Sequence, residues 1–191
     1  IEREGYSPNR FAKSLRTKES NTIGIMVEDI TAFQTPRIIN GINNYVEKQG
    51  YAVILNNMSL LEKTGNHYSE LSSYQSAISK SIKLFNKTQI DGLVYVAMHD
   101  RDVMELIPKL SIPIVLVYCY DTSKNNYYVT YDNVDVIVDV AECLMKRGNE
   151  KIGVIKGAED SLPSQKRLKS FITQLKKEGK ELKEEYIFPG A

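Results

Sequence analysis

Residues 22–56 read TIGIMVEDITAFQTPRIINGINNYVEKQGYAVILN, and this stretch decides the fold. The apolar run Ile23 to Ile30 predicts a buried strand, and Tyr51 to Asn56 predicts a second one. Between them, Thr35 can cap a helix with Pro36 at its first position, and apolar residues then recur at helical spacing. A strand, a helix and a strand in this order predict a βαβ unit with two parallel strands.

The alternation of apolar runs and amphipathic segments continues through the rest of the chain. Further strands are predicted at Ile90 to Met98, Ile112 to Tyr120, Tyr127 to Tyr131, Lys151 to Ile155 and near Tyr186 to Phe188. Further helices are predicted with Leu71, Tyr74, Ile78, Ile82 and Phe85 on one face, over Val103 to Leu110, over Ile137 to Met145 and over Ser164 to Lys177. Strands separated by helices predict an α/β fold with a parallel sheet and helices on both faces.

The number of units indicates three parts. Residues 21–133 supply enough strands and helices for one complete lobe, whereas 134–191 supply only the start of a second lobe that could not bury its own sheet. Residues 1–20 precede this pattern as a separate basic segment. We expect the native chain to continue past Ala191 or the sequence to be an excerpt, and Ile1 in place of Met to indicate a missing upstream segment.

Composition places the chain among soluble globular proteins, with 42% hydrophobic and 26% charged residues and no apolar run long enough to span a bilayer. Residues 1–20 hold five basic and three acidic residues, a charge of +2. The whole chain carries +1, so the remaining residues carry −1. Any attraction to nucleic acid is therefore predicted to lie in the N-terminal segment.

Residues 6–17, YSPNRFAKSLRT, predict a short basic helix. Pro8 can occupy its first turn, and Phe11, Ala12 and Leu15 recur at helical spacing to form a small apolar face. Such a helix is too short to be stable alone in water. We therefore expect this segment to become ordered on a partner surface, with DNA the partner that its charge favours.

The sequence contains no catalytic, metal-binding or cofactor motif. There is no Walker A loop, no GxGxxG after the first strand, no HExxH and no GxSxG, and His67 and His99 are isolated. We therefore predict a protein that is not an enzyme. Cys119 and Cys143 lie outside any CxxC or Cys/His cluster, which predicts buried reduced thiols in a cytoplasmic protein.

Ligands of open α/β sheets bind at the carboxyl ends of the strands, which directs attention to the loops there. These predicted loops are 29–35, 97–102, 120–126, 132–133 and 157–167. Phe33 could stack on a ligand or fold back on the core. Asp132 could bind a hydroxyl group or cap the helix that follows Val134, and Arg167 could pair with a ligand oxygen or lie on a helix surface. Residue type leaves each alternative open.

One known family shares these features in the same order along essentially the whole chain. The matching segments are YSPNRFAKSLRT, NTIGIMVEDI, PRIINGINNYVEKQGY, IDGLVYV, IPIVLVYCYD, VTYDN, CLMKRGNEKIGVI and QKRLKSF. With them the chain resembles the lactose/galactose repressor family (LacI/GalR-type) of bacterial transcription regulators. The resemblance implies a helix-turn-helix headpiece, a hinge helix and a two-lobed core of three-layer αβα lobes like that of periplasmic binding proteins.

The resemblance gives the basic segment a specific role. Asn9, Ala12 and Leu15 match the hinge residues that such proteins place in the DNA minor groove, with the leucine as a wedge between base steps. Arg10, Lys13 and Arg16 would then contact phosphates or the minor groove. Residues 1–5 would be the end of a headpiece whose recognition helix is absent from this sequence. Operator DNA is the implied partner of this segment.

The resemblance also implies a binding site for a small effector, a sugar or sugar derivative, between the two lobes. Phe33 and Gln34 match the ligand-facing loop after the first strand, and Tyr120 falls where some members carry an aromatic effector contact. Asp132 matches an effector-binding aspartate, and Arg167 matches the arginine that begins the RLxGF-like motif. The implied protein is a homodimeric, ligand-responsive repressor in which effector binding changes the angle between the lobes and so the ordering of the hinge helices.

Two rival functions use the same fold class. A solute-binding protein of a sugar transporter has the same two-lobed architecture, but it predicts a secretion signal and no basic hinge. A small α/β enzyme without a known motif predicts turnover, although no convergent acid/base or nucleophile pair is visible in the sequence. The hinge segment is the feature that favours a regulator over both.

Overall fold

A computed structural model describes residues 20–64, 71–123, 125–159 and 161–190. Its strands are β1 Thr22–Val27, β2 Ala52–Asn57, β3 Gly92–Val96, β4 Ile114–Val117, β5 Tyr127–Val129, β6 Val154–Lys156 and β7 Ile187–Pro189. Its helices are α1 Thr35–Lys48, α2 Leu60–Thr64, α3 Leu71–Thr88, α4 Asp135–Lys146 and α5 Leu162–Lys177, with a 3₁₀ turn at Glu184–Tyr186. Within these ranges no helix combines the length and the apolar character that crossing a bilayer requires.

The first five strands form one sheet in the order β2-β1-β3-β4-β5, and every pair in it is parallel. This is a doubly wound order, in which the chain leaves β1 in one direction and later returns to its other side. At the centre of the sheet, Ile25 lies opposite Leu55 on one side and Val94 on the other. The predicted α/β fold with a parallel sheet is confirmed.

The sheet has an apolar core on each face because successive side chains of a strand point to opposite faces. Ile25 and Val27 of β1 pack in a cluster with the partly buried Ile38, Ile39 and Ile42 of α1. Met26, between them, packs in the larger cluster with Tyr74, Ile78, Ile82 and Phe85, the predicted face of α3. A strand covered on both sides must be apolar throughout, and this is why β1 reads as a continuous apolar run.

The chain divides into two compact units. Unit 1 contains the five-stranded sheet, with the described residues up to Met98 and then Asp102–Val129; unit 2 contains His99–Arg101 and the described residues from Thr130 onward. Unit 2 is a two-stranded parallel sheet, β6 with β7, accompanied by α4 and α5. Its buried apolar residues are Ala141, Phe171 and Leu175, contributed by the two helices.

Two predictions of local structure were wrong. Thr35 is already helical and buried, so the residue that caps α1 is Gln34 and not Thr35. The side chain of Gln34 makes no capping hydrogen bond. The helix predicted over Val103 to Leu110 is a single turn in which the N–H groups of Leu106 and Ile107 both donate to the Val103 carbonyl. Pro108 lies inside that segment and prevents a helix from continuing through it.

The two cysteines differ from each other. Cys119 is buried, as predicted, and its thiol donates to the Val117 carbonyl over 3.6 Å. Cys143 is exposed, so the prediction of a buried thiol was wrong there. The stripe of α4 that faces α5 contains Ala141 and Leu144, and position 143 falls on the opposite side of the helix.

Candidate functional site

The loop after β1 is held in place by a buried carboxylate. Asp29 Oδ1 accepts hydrogen bonds from the Thr31 N–H over 2.9 Å and from its hydroxyl over 2.6 Å. Asp29 Oδ2 accepts from the Leu61 N–H over 3.1 Å, which ties the loop to the first turn of α2. Burial alone would raise the pKa of Asp29, but these hydrogen bonds and the charge of Lys63 together lower it. Asp29 is therefore an ionised anchor for the loop.

This anchored loop presents the first two predicted effector residues. Phe33 is 86% exposed, so the alternative in which it folds back on the core is wrong. Gln34 is exposed as well, and its backbone occupies the position before α1. A large aromatic side chain on an ordered loop, with its ring left in solvent, is suited to stacking on an apolar ligand face.

Tyr120 follows β4 and lies beside a second aromatic residue. Its ring centroid is 6.4 Å from that of Tyr128, with the two planes tilted by 58°. The chain reaches this position through Tyr118, whose φ of 62° lies in the left-handed region that is uncommon for a residue with a side chain. The Tyr120 carbonyl accepts from the Val103 N–H over 2.9 Å, which joins the loops after β3 and β4.

Asp132 caps a helix in unit 2. Its Oδ1 accepts from the N–H of Val134 over 2.7 Å and of Asp135 over 2.9 Å, at the start of α4. The hydrogen bonds from Asp135 and Val134, in that order, lower the pKa of the carboxyl group. The capping alternative raised by the sequence is thus realised, and the carboxylate remains exposed to solvent.

Arg167 lies on α5 and lines a cavity of about 500 Å³ within unit 2. Its Nε donates to the Pro163 carbonyl of the same helix over 3.2 Å. The cavity lies between β6 and the facing sides of α4 and α5, and Ser164 and Phe171 also line it. Ser164 is itself fixed, because its hydroxyl accepts from the Gly157 N–H over 2.9 Å. Asp132 is not among the residues that line this cavity.

Sequence reasoning missed a buried polar cluster around Asp100, which belongs to unit 2. Asp100 Oδ1 accepts from the Thr130 hydroxyl over 3.2 Å, and Oδ2 accepts from the Asn133 amide over 3.0 Å. Lys166 of α5 brings its ammonium group to 3.5 Å from Oδ2. Thr130 and Asn133 lie in the segment VTYDN and Lys166 in QKRLKSF, but nothing in these segments relates them to Asp100, so only the fold reveals the cluster.

The predicted site residues thus fall into three groups. Phe33, Gln34 and Tyr120 lie on loops of unit 1 that follow β1 and β4, and Asp132 and Arg167 lie in unit 2. The hinge residues Asn9, Arg10, Ala12, Lys13, Leu15 and Arg16 lie outside the described residues. In the described ranges, no group of three or more His, Cys, Asp or Glu side chains is arranged to hold a metal ion.

Comparison with known families decides the class. Residues 20–190 match the family described as periplasmic binding proteins and sugar binding domain of LacI family. The chain belongs to this family. Its relatives include catabolite control protein A of Priestia megaterium, 25% identical over 100% of this chain. They also include the ribose operon repressor of Lactococcus lactis, 26% identical over 97% of it. The resemblance to LacI-type regulators read from the sequence is confirmed.

The chain spans about half the length of these curated relatives, 54% of the first and 51% of the second. A solved structure of the lac repressor dimer bound to operator and the anti-inducer ONPF matches 97% of this chain and 60% of its own, with a TM-score of 0.70. At 18% identity this likeness shows the fold alone. It places the parallel-sheet architecture among the cores of LacI-family proteins.

Proposed function

We propose that the chain is the hinge and part of the effector-binding core of a ligand-responsive transcriptional repressor. The observation that carries this proposal is the family match over residues 20–190, since the relatives reported above are a control protein and a repressor. The proposal includes a cytoplasmic location and a homodimer that presents two hinge segments to DNA. The activity proposed is binding rather than turnover.

The effector is proposed to be a carbohydrate or a close derivative. Asp132 is an ionised acceptor and Arg167 a planar donor, the pair of groups that sugar hydroxyls can satisfy together. In unit 1 the exposed ring of Phe33 offers an apolar surface for the C–H face of a sugar ring, with Gln34 and Tyr120 as further polar contacts. The polar groups would supply specificity and the aromatic surface would supply affinity.

Operator binding is proposed to use the basic segment 6–17 together with a headpiece. Leu15 would act as the wedge in the minor groove, with Asn9 and Ala12 beside it. Arg10, Lys13 and Arg16 would neutralise phosphates, which predicts binding that weakens steeply with salt. The effector would act by favouring one of two arrangements of the lobes, since a ligand shifts such an equilibrium only through its different affinity for the two states.

The effector proposal is tested by thermal shift on the full-length gene product. The panel is D-ribose, D-galactose, sucrose, D-glucose 6-phosphate, adenine and hypoxanthine. A ligand that binds only the native state raises the melting temperature, so at least one carbohydrate should do so. Arg167→Ala should reduce that shift, whereas Arg147→Ala, at the C-terminal end of α4, should retain it. A flat panel, or a shift from the nucleobases alone, contradicts the proposal.

The hinge proposal is tested by DNA bending. Fragments selected by the protein from a random library should be bent in its complex, and Leu15→Ala should reduce the bend and weaken binding by about tenfold or more. Ser14→Ala, a neighbouring change outside the matched contacts, serves as the control. Equal bending by the wild type and the Leu15 variant would contradict the role of the wedge.

A further inference from the structure

Asp100 lies in the short segment 99–101, which belongs to unit 2. Its side chain ends in a carboxylate, and the residue is only 4% exposed. Taking such a charge out of water is costly unless cations and hydrogen-bond donors surround it. The donors here are the Thr130 hydroxyl, the Asn133 amide and the Lys166 ammonium group. Both oxygens of the carboxylate thus have partners, which raises the question of what purpose the buried charge serves.

The positions of these donors in the chain indicate that purpose. Asn133 directly follows Asp132, and Lys166 directly precedes Arg167. Consecutive Cα atoms are about 3.8 Å apart across a planar peptide bond, so fixing one residue restricts the position of the next. A single buried carboxylate therefore holds the chain immediately beside both proposed effector residues of unit 2.

Each of the two segments is also restrained within itself, by the Asp132 cap on α4 and by the Ser161 cap on α5. Asp132 is the third residue before α4, and Lys166 lies in the second turn of α5. The apolar contacts that join the two helices involve Ala141, Phe171 and Leu175, which lie further along each helix. The Asp100 cluster adds a polar link between the segment before α4 and the second turn of α5.

We infer that Asp100 is a positioning residue for the effector site: its carboxylate sets the relative placement of Asp132 and Arg167 through Asn133 and Lys166. The inference rests on the proposed function, because it concerns how that same site is assembled. Preorganisation of this kind improves affinity by removing the cost of ordering the two groups when the ligand arrives. Asp100 would do so without touching the effector.

The test is calorimetric titration of the full-length protein with D-ribose, D-galactose, sucrose and D-glucose 6-phosphate, each in turn. Asp100→Asn keeps the shape of the side chain and removes its charge, and it should weaken binding by about tenfold, the scale of one hydrogen bond to a charged group. Lys166→Gln breaks the same ion pair from its half-exposed end, where folding is least at risk, and should weaken binding by about twofold to fivefold.

The matched control is Glu142→Gln, which removes a carboxylate of the same unit. Glu142 forms an exposed ion pair with Lys146 within α4 and accepts a long hydrogen bond of 3.5 Å from Gln174 of α5, far from the start of either helix. The same change of charge there should leave the affinity for the carbohydrate unchanged. If Glu142→Gln weakens binding as much as Asp100→Asn does, the effect belongs to net charge and the inference is wrong.

A double-variant cycle separates positioning from a general loss of stability. If Asp100 acts through Arg167, the variant Asp100→Asn/Arg167→Ala should bind no more weakly than Arg167→Ala alone, because residues that act as a unit are not additive. Losses that simply multiply would overturn the inference, as would full affinity in Asp100→Asn. If Arg167→Ala leaves binding intact, or if none of the four carbohydrates binds, the proposed effector site fails and the inference fails with it.

Discussion

The two units of this chain are stabilised in different ways. In unit 1, β1 and β3 are covered on both faces and paired on both edges, so their side chains are almost all buried. In unit 2, β6 pairs with β7 alone among the described strands, and Ile155 at its centre is 79% exposed. A two-stranded sheet contributes little stability by itself. Polar links and helix caps therefore carry more of the local order in unit 2.

The two units therefore hold their proposed ligand-binding residues in place by different means. The apolar sheet of unit 1 supports loops that present Phe33 and Tyr120, while in unit 2 the proposed ligand contacts depend on the Asp132 cap and the Asp100 cluster. A packed apolar core is little affected by polar substitutions outside it. A buried polar cluster, in contrast, is disturbed by the loss of a single charge. We therefore expect core substitutions to change folding in unit 1 and polar substitutions to change binding in unit 2.

The largest expected difference comes from the same substitution, isoleucine to alanine, in one strand of each unit. Ile25→Ala removes a fully buried side chain from β1 and should lower the free energy of unfolding by about 2–5 kcal/mol. In the 191-residue chain, Ile155→Ala in β6 removes an exposed side chain and should change it by less than about 0.5 kcal/mol. Urea unfolding followed by circular dichroism measures both. Equal losses would show that β6 is buried in solution and would end the comparison.

A smaller difference is expected from two glycines. A Cβ at Gly24 would lie 2.6 Å from the Ile90 side chain and 3.0 Å from the Phe85 ring, so Gly24→Ala should cost about 1–3 kcal/mol through overpacking. A Cβ at Gly153, just before β6, would meet only the Tyr186 carbonyl at an ordinary 3.4 Å. Gly153→Ala should therefore be nearly neutral in thermal unfolding. A loss for Gly153→Ala as large as for Gly24→Ala would contradict the open packing of unit 2.

The smallest expected difference appears in the dependence of stability on pH. The pKa of Asp29 in unit 1 is lowered from 3.8, so its ionised form contributes stability above that value, and the contribution is lost as pH falls through the folded pKa. Asp29→Asn should therefore flatten the acid side of the stability profile below about pH 4. Glu159 in unit 2 also has a lowered pKa, through its hydrogen bond and ion pair with Lys156, but that pair is exposed.

Glu159→Gln should accordingly leave the acid profile nearly unchanged, since exposed ion pairs contribute little. Urea midpoints measured between pH 3 and pH 7 compare the two variants. A flatter profile for Glu159→Gln than for Asp29→Asn would contradict the larger contribution expected from Asp29.

Sequence patterns predicted the architecture well because burial on both faces leaves a strong signal. Ile23 to Ile30 could be assigned to a strand, and the α3 face could be listed residue by residue, since a covered strand is apolar throughout and a packed helix repeats every 3.6 residues. The segment around Val103 has the same spacing but forms only a turn, because Pro108 and tertiary bonds to Tyr120 override it.

The site was predictable only in part. Asp132 and Arg167 were proposed through the family resemblance and stay proposals, whereas Asp100 was not named, since nothing in the string MHDRD distinguishes a buried carboxylate from a solvated one. Its partners lie 30 to 66 residues away, and only folding brings them together. No periodicity and no single motif connects Asp100 with these partners, so the cluster becomes visible only in three dimensions.

The most direct test of the central claim, that a carbohydrate bound by this core controls DNA binding, is fluorescence anisotropy of the full-length protein. A DNA fragment selected by the protein is titrated with and without the carbohydrate that shifts its melting temperature. The account predicts that the ligand changes DNA affinity by about 5-fold to 150-fold in the wild type, the usual range of coupling between two sites, and not in Arg167→Ala. Identical DNA affinity at zero and saturating carbohydrate in the wild type would contradict it.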